Sequence, residues 1–133
     1  MPQMQPGKWW GLRRLADAEG RWKMVAIDQR TPLMHPIARK RGVPEAPYDD
    51  LARVKAAVTR HLAPQASAML LDPNFAYPSC IGQMPPSVGL CLSLEHHVTE
   101  DTAQGKLSRE IPGWSVPAIR RIGGDAVKLL IWY

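Results

Sequence analysis

The chain has little of what marks several protein classes. It contains only two cysteines, Cys80 and Cys91, in a spacing that matches no common metal site, so we expect free thiols and no metal. It has no apolar run of the roughly 18 residues that a membrane helix needs. The segment from Met1 to Lys8 has no apolar stretch of signal-peptide type. These absences predict a cytoplasmic protein that does not enter a membrane.

The charge of the chain is basic but dispersed. The net charge of +5 suits a phosphate-bearing substrate or nucleic acid. Only Arg39, Lys40 and Arg41 form a basic cluster, and no recognition helix or aromatic-basic strand accompanies it. We therefore expect no nucleic-acid partner.

The apolar patterns predict alternating strands and helices in one domain, residues 1–133. Strands are predicted at 23–30, 66–73, 89–97 and 126–133. Helices are predicted at 9–17, at 50–62 after an Asp49 N-cap, and after Ser115. Leu51, Val54, Val58 and Leu62 would form the buried stripe of the middle helix. Residues 31–48 and 98–114 are predicted to be polar connections, and 74–87 a poor crossover helix.

This order favours an α/β fold with a parallel sheet. The second and fourth strands are continuously apolar, as in strands covered on both faces. Polar residues follow or interrupt the strands near their carboxyl ends, which is where (β/α)₈ barrels and open α/β sheets place their sites. No Gly-x-Gly-x-x-Gly follows the first strand, which argues against a dinucleotide site.

The candidate site residues are charged or polar groups on these strands. Asp28, Gln29 and Arg30 end the first strand, and Lys128 interrupts the fourth. A charge in a buried strand is costly unless it is paired. Lys128 therefore has either a structural partner, Asp28 or Glu95, or a role in a site.

Two further strand ends carry ionisable residues. Asp72 follows the second strand, and Glu95, His96 and His97 end the third. Neighbouring strand residues point to opposite faces, so the two histidines are not expected to chelate one metal ion.

Several motifs together resemble the tagatose-1,6-bisphosphate aldolase family. They are Gly11-Leu12-Arg13-Arg14-Leu15-Ala16-Asp17, Met24-Val25-Ala26-Ile27-Asp28-Gln29-Arg30, Met69-Leu70-Leu71-Asp72-Pro73, Leu94-Glu95 and Gly124-Asp125-Ala126-Val127-Lys128-Leu129-Leu130, in the family's order. The match runs from Gly11 to the end of the chain. Thr31 stands where the family typically has glycine.

The resemblance implies a (β/α)₈ barrel and class I aldol cleavage through a lysine Schiff base, without a cofactor. The substrate would be a ketose bisphosphate, split to dihydroxyacetone phosphate and glyceraldehyde 3-phosphate. Asp28 and Lys128 would be catalytic, and Gln29, Arg30, Glu95 and Asp72 would bind substrate. The family's Schiff-base lysine and a further glutamate lie on later strands.

The chain has about half the length of such a barrel, which has about 250 residues or more. We therefore expect four of eight strands, an N-terminal half-barrel that is inactive alone. Its partner would be the missing half or further copies of the chain, since open strand edges need cover. The alternative is a non-catalytic half-barrel module that binds sugar phosphates or another protein.

Overall fold

The computed structural model describes residues 4–132 and has mixed α/β architecture. The helices are α1 Pro6–Arg14, α2 Thr31–Arg41, α3 Tyr48–Leu62, α4 Ala76–Cys80 and α5 Val116–Arg121; the strands are β1 Met24–Ala26, β2 Ala68–Leu71, β3 Gly89–Ser93, β4 Glu100–Thr102, β5 Gly105–Leu107 and β6 Ala126–Lys128. Single 3₁₀ turns follow α3 and α4. Tyr133, the predicted end of the last strand, lies outside the described residues. Among residues 4–132, no helix has the length and apolar character that crossing a membrane requires.

Four strands form one parallel sheet in the order β1-β2-β3-β6. This confirms the predicted order and direction of the strands. The regular strands are shorter than predicted, and β6 ends at Lys128. Leu129 and Ile131, expected in that strand, are 48% and 65% exposed.

The two faces of this sheet differ in the size of their side chains. Leu90, Leu92 and Leu94 lie on one face with Met69 and Leu71, in the main core. The other face carries small residues, such as Ala68 and Cys91, which pack with Leu15 in a second cluster. Because side chains alternate along a strand, the residues in register with Ala68 and Cys91 point away from the main core.

The middle helix exists, but its buried stripe is not the predicted one. Val54 and Leu62 are 39% and 42% exposed. The fully buried positions of α3 include Leu51, Lys55 and Thr59, at a spacing of one helical turn. Lys55 faces inward because its ammonium group forms an ion pair with buried Asp72, just beyond the carboxyl end of β2. Asp49 lies in the first turn rather than at the N-cap, which is Pro47.

Both connections predicted to be irregular contain regular structure. Residues 31–41 form α2, with Pro32 in the first turn, where a missing N–H is tolerated. Gly42 ends this helix with a left-handed φ of 68°. Within 98–114, β4 and β5 form an antiparallel hairpin.

The two later crossovers match their predictions. The segment 74–87 has only the five-residue helix α4 and a 3₁₀ turn. Ser115 caps α5, because its Oγ accepts a hydrogen bond from the N–H of Ala118 at 3.3 Å, and Pro117 lies in the first turn.

Helix α1 covers the amino ends of the sheet strands. The Ser67 hydroxyl donates a hydrogen bond to the Leu15 carbonyl at 2.7 Å and accepts one from the Lys23 N–H at 2.8 Å. Gly11 lies so close to the sheet that a Cβ there would be 2.6 Å from the Asp125 carbonyl oxygen. This end of the sheet is therefore closed by direct backbone contact.

Candidate active site

Three ionisable side chains meet at the carboxyl ends of β1, β3 and β6. Lys128 ends β6, while Asp28 and Glu95 each follow their strand by two residues. Each is an even number of positions beyond a residue that faces away from the main core, which explains why all three share one sheet face. The structure brings Lys128 into contact with both partners that the sequence analysis named for it, Asp28 and Glu95.

Lys128 bridges two carboxylates. Its Nζ is 3.1 Å from Asp28 Oδ2 and 2.5 Å from Glu95 Oε1. Burial by itself would lower the pKa of the Lys128 ammonium group. Hydrogen bonds to Glu95 and Asp28, and the charges of both carboxylates, instead raise that pKa above its ordinary value. Lys128 is therefore a cation at neutral pH.

Arg30 lies beside this cluster and is only 5% exposed. Its Nη2 donates a hydrogen bond to the Glu95 carbonyl oxygen at 3.1 Å and is 4.0 Å from Glu95 Oε1. Within the described part of the chain, buried Arg30 Nη1 and buried Glu95 Oε2 have no hydrogen-bond partner. An unsatisfied buried donor and acceptor are costly in a folded protein, so this end of the sheet carries unused binding capacity.

A cavity of about 370 Å³ opens over the cluster. Gln29, Thr31 and Thr99 supply polar groups to its wall, and Trp132 supplies an aromatic ring. The remaining lining comes from Asp28, Arg30, Pro32, Glu95, His96, His97, Lys128 and Leu130. Five of the six site residues proposed from sequence therefore line one cavity, with donors, acceptors and both signs of charge.

Asp72, the sixth, is placed elsewhere. Its side chain is fully buried and lies 2.8 Å from Lys55 Nζ. Its carboxylate also accepts hydrogen bonds from the N–H groups of Asn74, Phe75 and Ala76. A carboxylate used in this way has no oxygen to offer a sugar, and we propose a different role for it below.

His96 and His97 also line the cavity, but not as predicted. Their rings stack with centroids 4.5 Å apart, because both residues lie beyond the isolated bridge at Glu95, where strand alternation no longer applies. Burial lowers the pKa of His97, and nearby His96 and Arg30 lower it further. No group of three or more His, Cys, Asp or Glu side chains in residues 4–132 is arranged to hold a metal ion.

Lys55 is the residue that sequence reasoning missed. It occupies the same helix stripe as Leu51, but a lysine between apolar residues of an amphipathic helix is usually placed at the solvent edge. The available signal was its spacing of four residues from both Leu51 and Thr59, which puts it under the sheet.

Comparison with known proteins supports the sequence resemblance. The tagatose 1,6-diphosphate aldolase of Listeria monocytogenes is 37% identical over 133 residues, which is all of this chain and 38% of the relative. Tagatose 1,6-diphosphate aldolase 2 of Enterococcus faecalis is 33% identical over 134 residues, or 39% of its length. Tagatose 1,6-diphosphate aldolase 1 of Streptococcus mutans is 30% identical over 122 residues, which covers 92% of this chain and 37% of the relative.

The similarity thus covers nearly all of this chain but only part of each relative. The chain spans about two fifths of the length of the curated relatives it matches. No family model matches the chain. The resemblance to the tagatose-1,6-bisphosphate aldolases is confirmed, and the homologous region covers between 92% and 100% of the chain.

Proposed function

We propose that this chain, as a homologue of the tagatose 1,6-diphosphate aldolases, is part of a class I aldolase that cleaves a ketose bisphosphate. The products would be dihydroxyacetone phosphate and glyceraldehyde 3-phosphate. The observation that carries the proposal is the contact of Lys128 with both Asp28 and Glu95 under a polar cavity. A cluster at the carboxyl ends of parallel strands is where α/β enzymes hold their chemistry.

The architecture proposed for the chain is the first half of a (β/α)₈ barrel, with residues 1–133 as one partial domain. The sequential parallel order of the four strands supports it. So does the sheet face of small residues opposite the main core, since a barrel interior is filled by side chains from every strand. The missing strands, or another copy of the chain, would cover the edges of β1 and β6.

Each residue of the cluster has a role that its surroundings support. The raised pKa of Lys128 keeps it protonated, so it acts as a fixed positive charge rather than as the imine-forming nucleophile. Asp28 would handle the substrate hydroxyls and move protons during carbinolamine formation and bond cleavage. The imine itself would form on a lysine of a later strand.

The remaining cavity residues would bind the substrate. Arg30 has a free buried donor at Nη1, and Glu95 has a free buried acceptor at Oε2. A sugar hydroxyl accepts one hydrogen bond and donates another, so it matches this combination. A phosphate oxygen would use Arg30 alone. Gln29 adds an amide to the same wall.

The test is borohydride reduction of the chain in the presence of dihydroxyacetone phosphate, followed by mass spectrometry and an aldol-cleavage assay. We expect no turnover and no stoichiometric adduct at Lys128, because groups that act as a unit lose most of their rate enhancement together. The same assay on a polypeptide extended to the relatives' length should give turnover that Asp28→Asn removes. An adduct at Lys128 with turnover by residues 1–133 would contradict the half-enzyme proposal.

The second candidate is a sugar-phosphate-binding module without catalysis. The position of Arg30 in the cavity lining favours it, since binding needs only part of the machinery. Calorimetry with a ketose bisphosphate distinguishes the two. Binding by residues 1–133 that Arg30→Met abolishes and exposed Arg39→Met leaves intact supports the module, provided that the extended polypeptide shows no turnover.

A further inference from the structure

Lys55 is a fully buried cation that holds the backbone on both sides of Asp28. Its Nζ donates to the Ile27 carbonyl at 2.6 Å, to the Gln29 carbonyl at 2.7 Å and to Asp72 Oδ2 at 2.8 Å. An ammonium group has three N–H donors, so all of them are used. A lysine with no exposed area and no free donor neither binds substrate nor interacts with solvent.

The partner of Lys55 is itself held in place. Asp72 accepts hydrogen bonds from three backbone N–H groups at 2.7–3.2 Å. Such bonds fix the carboxylate at the carboxyl end of β2, and the carboxylate balances the buried charge of Lys55. Removing one member of such a pair leaves an uncompensated buried charge.

The segment around Asp28 needs this support because the sheet no longer provides it. β1 ends at Ala26, and the last sheet-like bond beyond it joins the Ile27 N–H to the Leu70 carbonyl at 2.9 Å. Asp28 follows this bond, and its own side chain reaches across to Lys128. The two carbonyls that Lys55 holds belong to the residues before and after Asp28.

We propose that Lys55 is a positioning residue, which with Asp72 fixes the backbone on either side of Asp28 and so aims its carboxylate at Lys128. This inference rests on the proposed function only in calling Asp28 an active-site group. Sites need supporting residues of this kind, because a misplacement of about 1 Å can cost roughly a hundredfold in rate.

The experiment tests whether the Asp28 carboxylate is held beside Lys128, and it does not require turnover. The chain is labelled with ¹³C-lysine, and the pH midpoint of the Lys128 side-chain signal, assigned with Lys128→Met, is followed by NMR. The change in the Lys128 midpoint caused by Asp28→Asn gives the full effect of losing the Asp28 charge. We expect Lys55→Met to lower the Lys128 midpoint by at least half of that effect, although Lys55 does not contact Lys128.

The controls separate positioning from general destabilisation. Ser67→Ala weakens the opposite end of the sheet and should leave the Lys128 midpoint unchanged. If Lys55→Met does not fold, Lys55→Met with Asp72→Asn removes the unpaired charge while keeping an acceptor for the Asn74 and Phe75 N–H groups, and is judged by the same criterion. A folded variant without Lys55 whose Lys128 midpoint equals that of the wild type overturns the inference, as does an equal decrease in Ser67→Ala.

Failure of this inference and failure of the proposed function are distinguishable. A chain without aldolase activity in any context still reports the Lys128 midpoint. Conversely, a Lys128 midpoint that Lys55→Met leaves unchanged contradicts the positioning role of Lys55. The proposed aldolase function is then still tested separately, by the assay of the extended polypeptide. In that polypeptide, Lys55→Met should lower kcat much more than it raises KM, since Asp28 would be misaimed while the binding groups remain.

Discussion

The two ends of the parallel sheet are built on different principles. At the amino end, the Ser67 hydroxyl both donates and accepts, and Asp125 Oδ2 accepts the Leu90 N–H at 2.9 Å. At the carboxyl end, Arg30 Nη1 and Glu95 Oε2 are buried without partners in the described residues. The Ser67 and Asp125 side chains at one end are thus paired with backbone groups, and Arg30 and Glu95 at the other end keep unpaired atoms next to a cavity.

This difference in hydrogen bonding indicates which end of the sheet stabilises the fold and which end reduces its stability. Unsatisfied buried polar groups reduce stability, and proteins tolerate them mainly at sites where they do something else. In open parallel α/β sheets ligands bind at the carboxyl ends of the strands, and in (β/α)₈ barrels the opposite face contributes stability. Substitutions at the two ends should therefore have opposite consequences.

The largest effect is expected where α1 meets the sheet. Gly11→Ala would place a Cβ 2.6 Å from the Asp125 carbonyl oxygen, so α1 must shift, at a cost of about 1–3 kcal/mol. Gly7→Ala in the same helix meets no atom within 4 Å and should stabilise the chain by up to about 1 kcal/mol. Urea denaturation measures both. Equal changes in the free energy of unfolding would show that α1 does not seal this end.

A smaller contrast is expected from removing polar groups at each end. Ser67→Ala leaves the Leu15 carbonyl and the Lys23 N–H unsatisfied, at a cost of about 1–3 kcal/mol. The combined change Asp28→Asn, Arg30→Met, Glu95→Gln and Lys128→Met replaces the whole ion cluster, including the buried guanidinium 4.0 Å from Glu95, with neutral groups of similar size. It should be neutral or stabilising. If thermal denaturation shows this fourfold variant to be less stable than Ser67→Ala, the carboxyl end is a stabilising structure, contrary to the comparison.

The smallest effect is the contribution of Lys128 to stability at alkaline pH. A pKa raised in the folded state gives stability that is complete below the unfolded value, about 10.4, and is lost as pH rises through the folded value. Burial raises the pKa of the Cys91 thiol to about 11, which gives a decline in the same range in every variant. The free energy of unfolding should fall more steeply above about pH 10.4 in the wild type than in Lys128→Met. Parallel profiles would contradict the raised pKa of Lys128.

The sequence predicts the sheet better than it predicts its surroundings. Apolar runs such as Met69 to Leu71 are strong signals, and connection by helices makes the strands parallel. The cluster of Asp28, Glu95 and Lys128 could also be predicted from the sequence, because polar groups at strand ends meet at one edge of a parallel sheet.

What the sequence did not reveal depends on tertiary contacts. Helix α2 has Pro36 in its interior, which lowers its local propensity, so packing against the rest of the chain is needed to account for it. Lys55 was missed for the same reason. A lysine under the sheet is stable only because Asp72 and two carbonyls surround it, and none of these partners is near it in the sequence.

The separation of these partners along the chain has a consequence for the order of folding. Lys55 is 28 and 26 positions from the two carbonyls it holds, whereas Lys128 and Asp28 are 100 positions apart. Closing the longer loop costs about 1 kcal/mol more in chain entropy. During synthesis, Lys55 also leaves the ribosome long before Lys128. The support for Asp28 can thus form before its charged partner exists, and pulsed hydrogen exchange should show amides near Gln29 protected earlier than those of β6.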